Sequence, residues 1–108
     1  MSENLKSSIN ISDILTNYND YENKRVTVTG KLESKHICGR RPGSVHFAGV
    51  CDDTGEIVII VSDTNIVRDT VLNFMDKYTL FSTIKVTGPV CKSPEGSIAI
   101  LVEEMVKL

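Results

Sequence analysis

Apolar and polar side chains alternate along residues 24–33. Val26, Val28, Gly30 and Leu32 fall on one face, and Arg25, Thr27, Thr29 and Lys31 on the other. A period of two predicts a half-buried strand, and a glycine inside it marks a bend or bulge. The arrangement returns at Ile84, Val86, Gly88 and Val90, where Thr87-Gly88 repeats Thr29-Gly30. Between these two runs, Phe47 to Val61 reads as a hairpin turned at Asp52-Asp53-Thr54-Gly55. Asp can bond its own backbone there, and Gly can take positive φ without a Cβ penalty. The β-branched run Ile57-Val58-Ile59-Ile60-Val61 fits a pleated surface and is apolar on both faces, which predicts a central or doubly covered strand. Phe47 and Val50, three apart, are both read as inward, with a bulge near Ala48-Gly49.

Ser12-Asp13 reads as the start of a short helix, about two turns long, with Ile14, Leu15 and Tyr18 sharing a face. Val67, Val71, Phe74, Met75 and Tyr78 recur at helical spacing and predict a second helix over 66–78 behind the cap candidates Asp63-Thr64-Asn65. The stretch 34–43 (SKHICGRRPG) reads as a loop, and Ser93-Pro94-Glu95-Gly96 as a turn. The last strand is expected over 97–105, with Ile98, Ile100 and Val102 on one side. The order is helix, three strands, helix, two strands. A mainly β, five-stranded antiparallel sheet coiled by internal glycines, with a helix between strands three and four and a short N-terminal helix, closes into a Greek-key OB barrel.

A chain of 108 residues suits one domain. The expected organisation is a flexible tail over 1–10 and a single OB-fold domain over 11–108. No apolar run is long enough to span a bilayer, and no export signal opens the chain, so no membrane contact and a cytoplasmic location are expected. Cys38, Cys51 and Cys91 are odd in number and form no CxxC, which argues against a disulfide framework. A zinc site drawn from His36, Cys38, His46, Cys51 and Cys91 lacks metal-ligand spacing. No phosphate loop, paired-carboxylate motif or nucleophile–base pair is present, so neither an enzyme nor a cofactor is expected. The formal net charge of −2 disfavours tight nonspecific phosphate binding. The cations nevertheless gather at Lys35, His36, Arg40 and Arg41.

Taken together, Val26-Thr27-Val28-Thr29-Gly30-Lys31-Leu32, Phe47-Ala48-Gly49-Val50-Cys51-Asp52-Asp53-Thr54-Gly55 and Ile84-Lys85-Val86-Thr87-Gly88-Pro89-Val90 resemble the OB-fold domains of the tRNA-anticodon-binding and replication-protein-A type. Their pattern is V-x-V-x-G-x-V, then F-x-x-L-x-D-x-T-G before an apolar strand, then a second V-x-V-x-G-x-V. The resemblance implies a single-stranded nucleic acid held on the outer face of strands one to three. On this chain that face would hold Arg25, Thr27, Thr29 and Lys31, His46 from strand two, and Val58 and Ile60 from strand three. Lys35, His36, Arg40 and Arg41 would stand at the rim. Cations there can neutralise phosphates, and His46 offers a planar ring to a base.

The chain departs from the pattern in its poverty of aromatics. It has no Trp, and Phe47, Phe74, Phe81, Tyr18 and Tyr78 all read as core. Since stacking contributes about 1–3 kcal/mol per base, modest affinity and low sequence specificity are expected. The rival reading is an OB barrel used for protein assembly, as a homodimer or within a larger complex, through the apolar third strand.

Overall fold

The computed structural model describes residues 8–108. Its elements are α1 (Ile11–Thr16), α2 (Tyr18–Tyr21), β1 (Arg25–His36), β2 (Val45–Cys51), β3 (Glu56–Ser62), α3 (Arg68–Lys77), β4 (Thr83–Lys92), β5 (Ile98–Leu101) and β6 (Glu104–Lys107). The first seven residues of the tail expected over 1–10 lie outside the described residues. From Ser8 the chain follows β1: Ile9 N–H donates to Thr27 O at 2.9 Å, and Ser8 Oγ lies 2.7 Å from Thr29 Oγ1.

The sheet closes on itself. β1 pairs with β2, β2 with β3, β3 with β5 in parallel, β5 with β4, and β4 back to β1. The result is the five-strand ring of an OB fold, with α3 between β3 and β4 and β6 added alongside β4. Closure requires β1 and β4 each to serve two neighbours, and their glycines make that possible. A Cβ on Gly30 would stand 2.5 Å from Cys51 O, where β1 passes from its pairing with β4 to its pairing with β2. A Cβ on Gly88 would stand 1.9 Å from Leu101 O. No side chain fits at either crossing, so the bends read from the two V-x-V-x-G runs correspond to backbone-on-backbone contacts.

The expected single last strand is divided. The chain crosses Gly88 at residues 101–103, where Val102 N–H donates to Ile60 O and Glu103 N–H to Thr87 O. β5 ends at that crossing and β6 begins after it. The barrel interior holds Val28, Leu32, Val50, Ile57, Ile59, Val61, Ile84, Val86, Val90 and Ile100, all essentially without solvent exposure. Phe74 of α3 closes one end, and Ile11 and Ile14 of α1 pack into the same core.

The reversal after β2 has a second task. Asp52 Oδ1 accepts from Thr54 N–H, Thr54 Oγ1–H and Gly55 N–H, while its Oδ2 accepts Ile11 N–H at 3.0 Å. Thr54 Oγ1 accepts Ser12 N–H. The turn therefore satisfies the open donors at the start of α1, which has no side-chain cap of its own. Ser12 is not the cap residue, because the helix begins at Ile11. Gly55 does not adopt positive φ. It is small because α1 lies against it: a Cβ there would meet Leu15 Cδ1 at 3.4 Å.

Candidate nucleic-acid interface

β2 and β3 pair in unbroken register from Val45↔Ser62 to Cys51↔Glu56. With Val50 inward, strict alternation places Ala48 and His46 inward as well, and Phe47, Gly49 and Cys51 outward. The irregularity lies instead in β1, where Leu32 faces Val50 and Ser34 faces Gly49, leaving Glu33 as the extra residue. Two expectations are thereby corrected. Phe47 is not core, and no bulge interrupts β2. The bulge at Glu33 shifts the alternation of β1, so that Ser34 and His36 point outward opposite Gly49 and Phe47.

These outward residues line a cleft of about 760 Å³. Its floor is Phe47, Gly49 and Val58, its sides are Ser34, His36 and Glu56, and the turn at 93–97 overhangs it. That turn is held by Ser93 N–H donating to Ser97 O at 2.7 Å, Ser97 N–H donating to Ser93 Oγ, and Gly96 at positive φ. Phe47 is half-buried and lines the cleft.

The expected site residues divide into three groups. His36 and Val58 line the cleft, and Ile60, paired opposite Phe47, lies almost covered beside it. Arg25, Thr27, Thr29 and Lys31 belong to the half of β1 paired with β4. There Arg25 is ion-paired with Glu103 and Glu104, and Thr27 Oγ1 lies 2.9 Å from Thr87 Oγ1. Thr29 and Lys31 line a separate shallow depression shared with Glu33, Asp52 and Asp53. The remaining four residues, Lys35, His46, Arg40 and Arg41, lie at or behind the rim.

Lys35 does not reach the rim. The shifted alternation turns it inward, where Nζ donates to the carbonyls of Phe74, Met75 and Tyr78 at 2.7, 3.1 and 2.8 Å. It caps the C-terminal end of α3, a position that favours a cation. Burial lowers its pKa, against the opposing pull of Asp76. Arg40 forms an ion pair with Asp76, its Nη2 lying 3.0 and 2.9 Å from the two carboxylate oxygens. Its carbonyl accepts from Arg68, whose Nη1 also holds Asp63 at 2.8 Å. The 37–44 segment is thus pinned to α3, and Arg41 is the exposed cation in it without an ion pair among the described residues.

His46 is also corrected. It is not a surface ring for stacking but a fully buried side chain. Its Nδ1 accepts Cys38 N–H at 3.1 Å, and its Nε2 has no partner among the described residues. Burial lowers its pKa, with Asp63 acting against that and Arg68 adding to it. Phe81 likewise leaves the core, at 64% exposure and positive φ. The three cysteines are free, and the described residues contain no group of three potential metal ligands. No helix of the described residues is long and apolar enough to cross a membrane.

The residues missed by the pattern reading are Phe47, Ser34, Gly49, Glu56 and the 93–97 turn. The available signal was the alternation of β2 counted back from Val50, which leaves Phe47 outward without any bulge.

Comparison with known proteins converges on this architecture. A family profile described as an OB-fold nucleic acid binding domain, of the tRNA anticodon type, matches residues 26–108. A lysine–tRNA ligase from Clostridium perfringens is 31% identical over 91 residues, covering 84% of this chain and 17% of that protein. One from Clostridium botulinum is 32% identical over 88 residues, covering 82% and 16%. The chain thus spans about a sixth of the length of these curated relatives. Among solved structures, asparaginyl-tRNA synthetase from Pyrococcus horikoshii complexed with asparaginyl-adenylate superposes with a TM-score of 0.79 at 16% identity, covering 95% of this chain and 22% of that one.

Proposed function

The chain belongs to the OB-fold nucleic acid binding domain family of the tRNA anticodon type, and on that premise we propose that it binds an unpaired strand of RNA across the cleft floored by Phe47. The relatives are tRNA ligases, and their likeness to this chain falls within a domain-sized part of each. The proposed activity is accordingly the holding of a strand, without ligase chemistry.

The observation that carries this reading is the outward placement of Phe47 between His36 and Ile60. An aromatic ring on the floor of an OB cleft is a platform for one unstacked base, and an unpaired strand can splay its bases onto such a surface. The backbone phosphates would then follow the outer rim, where Arg41 is available. With one platform and few free cations, affinity in the micromolar range is expected, with low sequence specificity along most of the strand.

Fluorescence anisotropy tests it, using a labelled seven-nucleotide RNA, the matching DNA and a duplex control at two salt concentrations. Saturable binding of the single strands, weaker at high salt and reduced at least tenfold by Phe47→Ala, is the expected result. No binding at low salt would end the proposal.

A second reading, association between copies of the chain, rests on a different surface from the third strand. Val58 and Ile60 are covered or within the cleft, whereas Leu80, Phe81 and Leu108 are 46%, 64% and 65% exposed. Leu108 N–H donates to Thr83 O, two residues after Phe81. Light scattering of the wild type and Phe81→Ser would detect such a dimer and its loss.

A further inference from the structure

Residues 37–44 pass from β1 to β2 outside the core. Residues 37–43 are all exposed, and among the described residues the segment's one backbone–backbone bond is internal, from Ser44 N–H to Arg41 O. Polar contacts hold it down. Arg40 Nη2 reaches Asp76 of α3 at 2.9 Å, and Arg68 Nη2 donates to Arg40 O at 2.7 Å. Gly43 N–H donates to Asp63 Oδ1 at 2.7 Å, and Cys38 N–H donates to His46 Nδ1 at 3.1 Å. Gly39 and Gly43 take φ of +123° and +88° to follow this path. A segment fixed by a few polar contacts, with little apolar burial, opens more easily than the core.

His46 differs from the other partners in being wholly buried. With Nδ1 accepting from Cys38, the ring's proton sits on Nε2, and that donor has no acceptor among the described residues. A buried unpaired donor is costly. A second proton could bind only at Nδ1, where it would displace the Cys38 bond. Burial disfavours the resulting charge most, and Arg68 adds to that. Asp63 opposes it, but its carboxylate is shared with Arg68 Nη1 and Gly43 N–H. Arg40, on the segment itself, is turned to Asp76 instead.

We propose that residues 37–44 are a strap that lifts from α3 as one piece when His46 takes up its second proton, while the barrel behind it stays folded. Lifting lets water reach Nε2 and frees Nδ1 for the proton. Cys38 lines the cleft and Arg41 rides on the strap, so acid alters that end of the cleft and moves its exposed cation. Linkage makes the relation reciprocal: whatever favours the lifted strap makes His46 easier to protonate. The inference stands whether or not the cleft holds RNA.

The test is an NMR pH titration of the His46 ring, assigned with His36→Gln, and of the backbone amides. In the wild type the Cys38 and Gly43 amides should shift together at the His46 midpoint, while Val28 and Ile59 in the barrel keep their native shifts. Gly43→Ala adds a Cβ that meets nothing within 4 Å but strains the closed backbone at φ +88°. It touches neither His46 nor any charge. Opening about tenfold easier should raise the His46 midpoint by about one pH unit toward 6.5. Asp76→Asn releases Arg40 and should also raise the midpoint, by roughly a few tenths of a unit, although loss of an anion acting through space alone would lower it. An unmoved midpoint in Gly43→Ala, or a lowered one in Asp76→Asn, would overturn the proposal. So would a Gly43 amide that stays fixed while Cys38 shifts, or barrel amides that collapse together with the strap.

Discussion

Phe47 stands directly opposite His36 across the β1–β2 ladder, both facing the cleft. Neither ring serves the core, so each can be altered without opening a cavity. Phe47→Ala is expected to reduce RNA affinity at least tenfold, in line with a stacking contribution of about 1–3 kcal/mol. Urea unfolding should move by less than about 1 kcal/mol, since the side chain is only half-buried. A large loss of stability together with the loss of binding would show that the ring is structural.

Lys35 and Arg41 lie in or next to the same cationic stretch but are predicted to behave oppositely. Lys35 Nζ is committed to three carbonyls at the end of α3, and bonds to a charged group contribute roughly 1.5–3 kcal/mol each before mutual compensation. Lys35→Met should lower stability by about 2 kcal/mol while leaving the salt dependence of binding unchanged. Arg41→Ala should leave stability unchanged and reduce the slope of log K against log salt by about 0.7, the value for one phosphate on a single strand. Paired urea titrations and salt-dependent anisotropy distinguish the two.

Much of this architecture is legible in the chain because barrel interiors obey a period of two. Val26-Val28-Gly30-Leu32 and Ile84-Val86-Gly88-Val90 declare both long strands, their inner faces and their bending points. The site is less legible for a local reason. One extra residue, Glu33, reverses the outward direction in the second half of β1, and no composition marks it. Reading outward residues straight through from Arg25 reaches Lys35, whereas the cleft receives Ser34 and His36. The same one-residue ambiguity governs β2, where apolarity alone draws Phe47 inward and register draws His46 inward instead. Burying a histidine requires a partner, and that partner, Cys38 N–H, comes from a segment with no periodicity from which to infer it.

Gly88 and Gly55 give a contrast between two kinds of small residue. At Gly88 an added Cβ meets a backbone carbonyl at 1.9 Å, and backbone cannot swing aside. At Gly55 the nearest atom is the end of Leu15, at an ordinary contact distance of 3.4 Å. Gly88→Ala should therefore lower stability by about 3 kcal/mol or more, the upper range for overpacking, with a fall in Tm of at least about 10 °C. Gly55→Ala should be within about 0.5 kcal/mol of neutral. Calorimetry of both variants checks the pair, and similar melting temperatures would contradict the crossing at Gly88.

The buried ring of His46 predicts a pH dependence whose sign follows from its surroundings. Because Nδ1 accepts Cys38 N–H, the neutral ring carries its proton on Nε2. A second proton on Nδ1 would both charge a desolvated group and remove that acceptor. Burial, reinforced by Arg68 and opposed by Asp63, accordingly holds the native pKa below the usual 6.5. Above pH 6.5 both native and unfolded chains keep this histidine neutral, and it contributes no slope. As pH falls through 6.5 the unfolded chain takes up a proton that the native state refuses, so stability falls by up to about 1.4 kcal/mol per pH unit. The decline from this group ends once pH passes the depressed native value. Asp52, Asp63 and Asp76 are also shifted down, below the ordinary carboxylate value of 3.8. Hydrogen bonds outweigh burial at Asp52, the Gly43 N–H leads at Asp63, and the Arg40 bond leads at Asp76. Their losses therefore begin at lower pH, and the window from about 6.5 to 5 isolates the histidine. Urea unfolding across that window should show the slope in the wild type and lose it in His46→Asn, whose amide oxygen can still accept Cys38 N–H. Amide-exchange protection at Cys38 should be lost only as pH passes the depressed native value, where protonation of the folded ring frees that N–H. An equal slope in the variant would assign the pH dependence to another group.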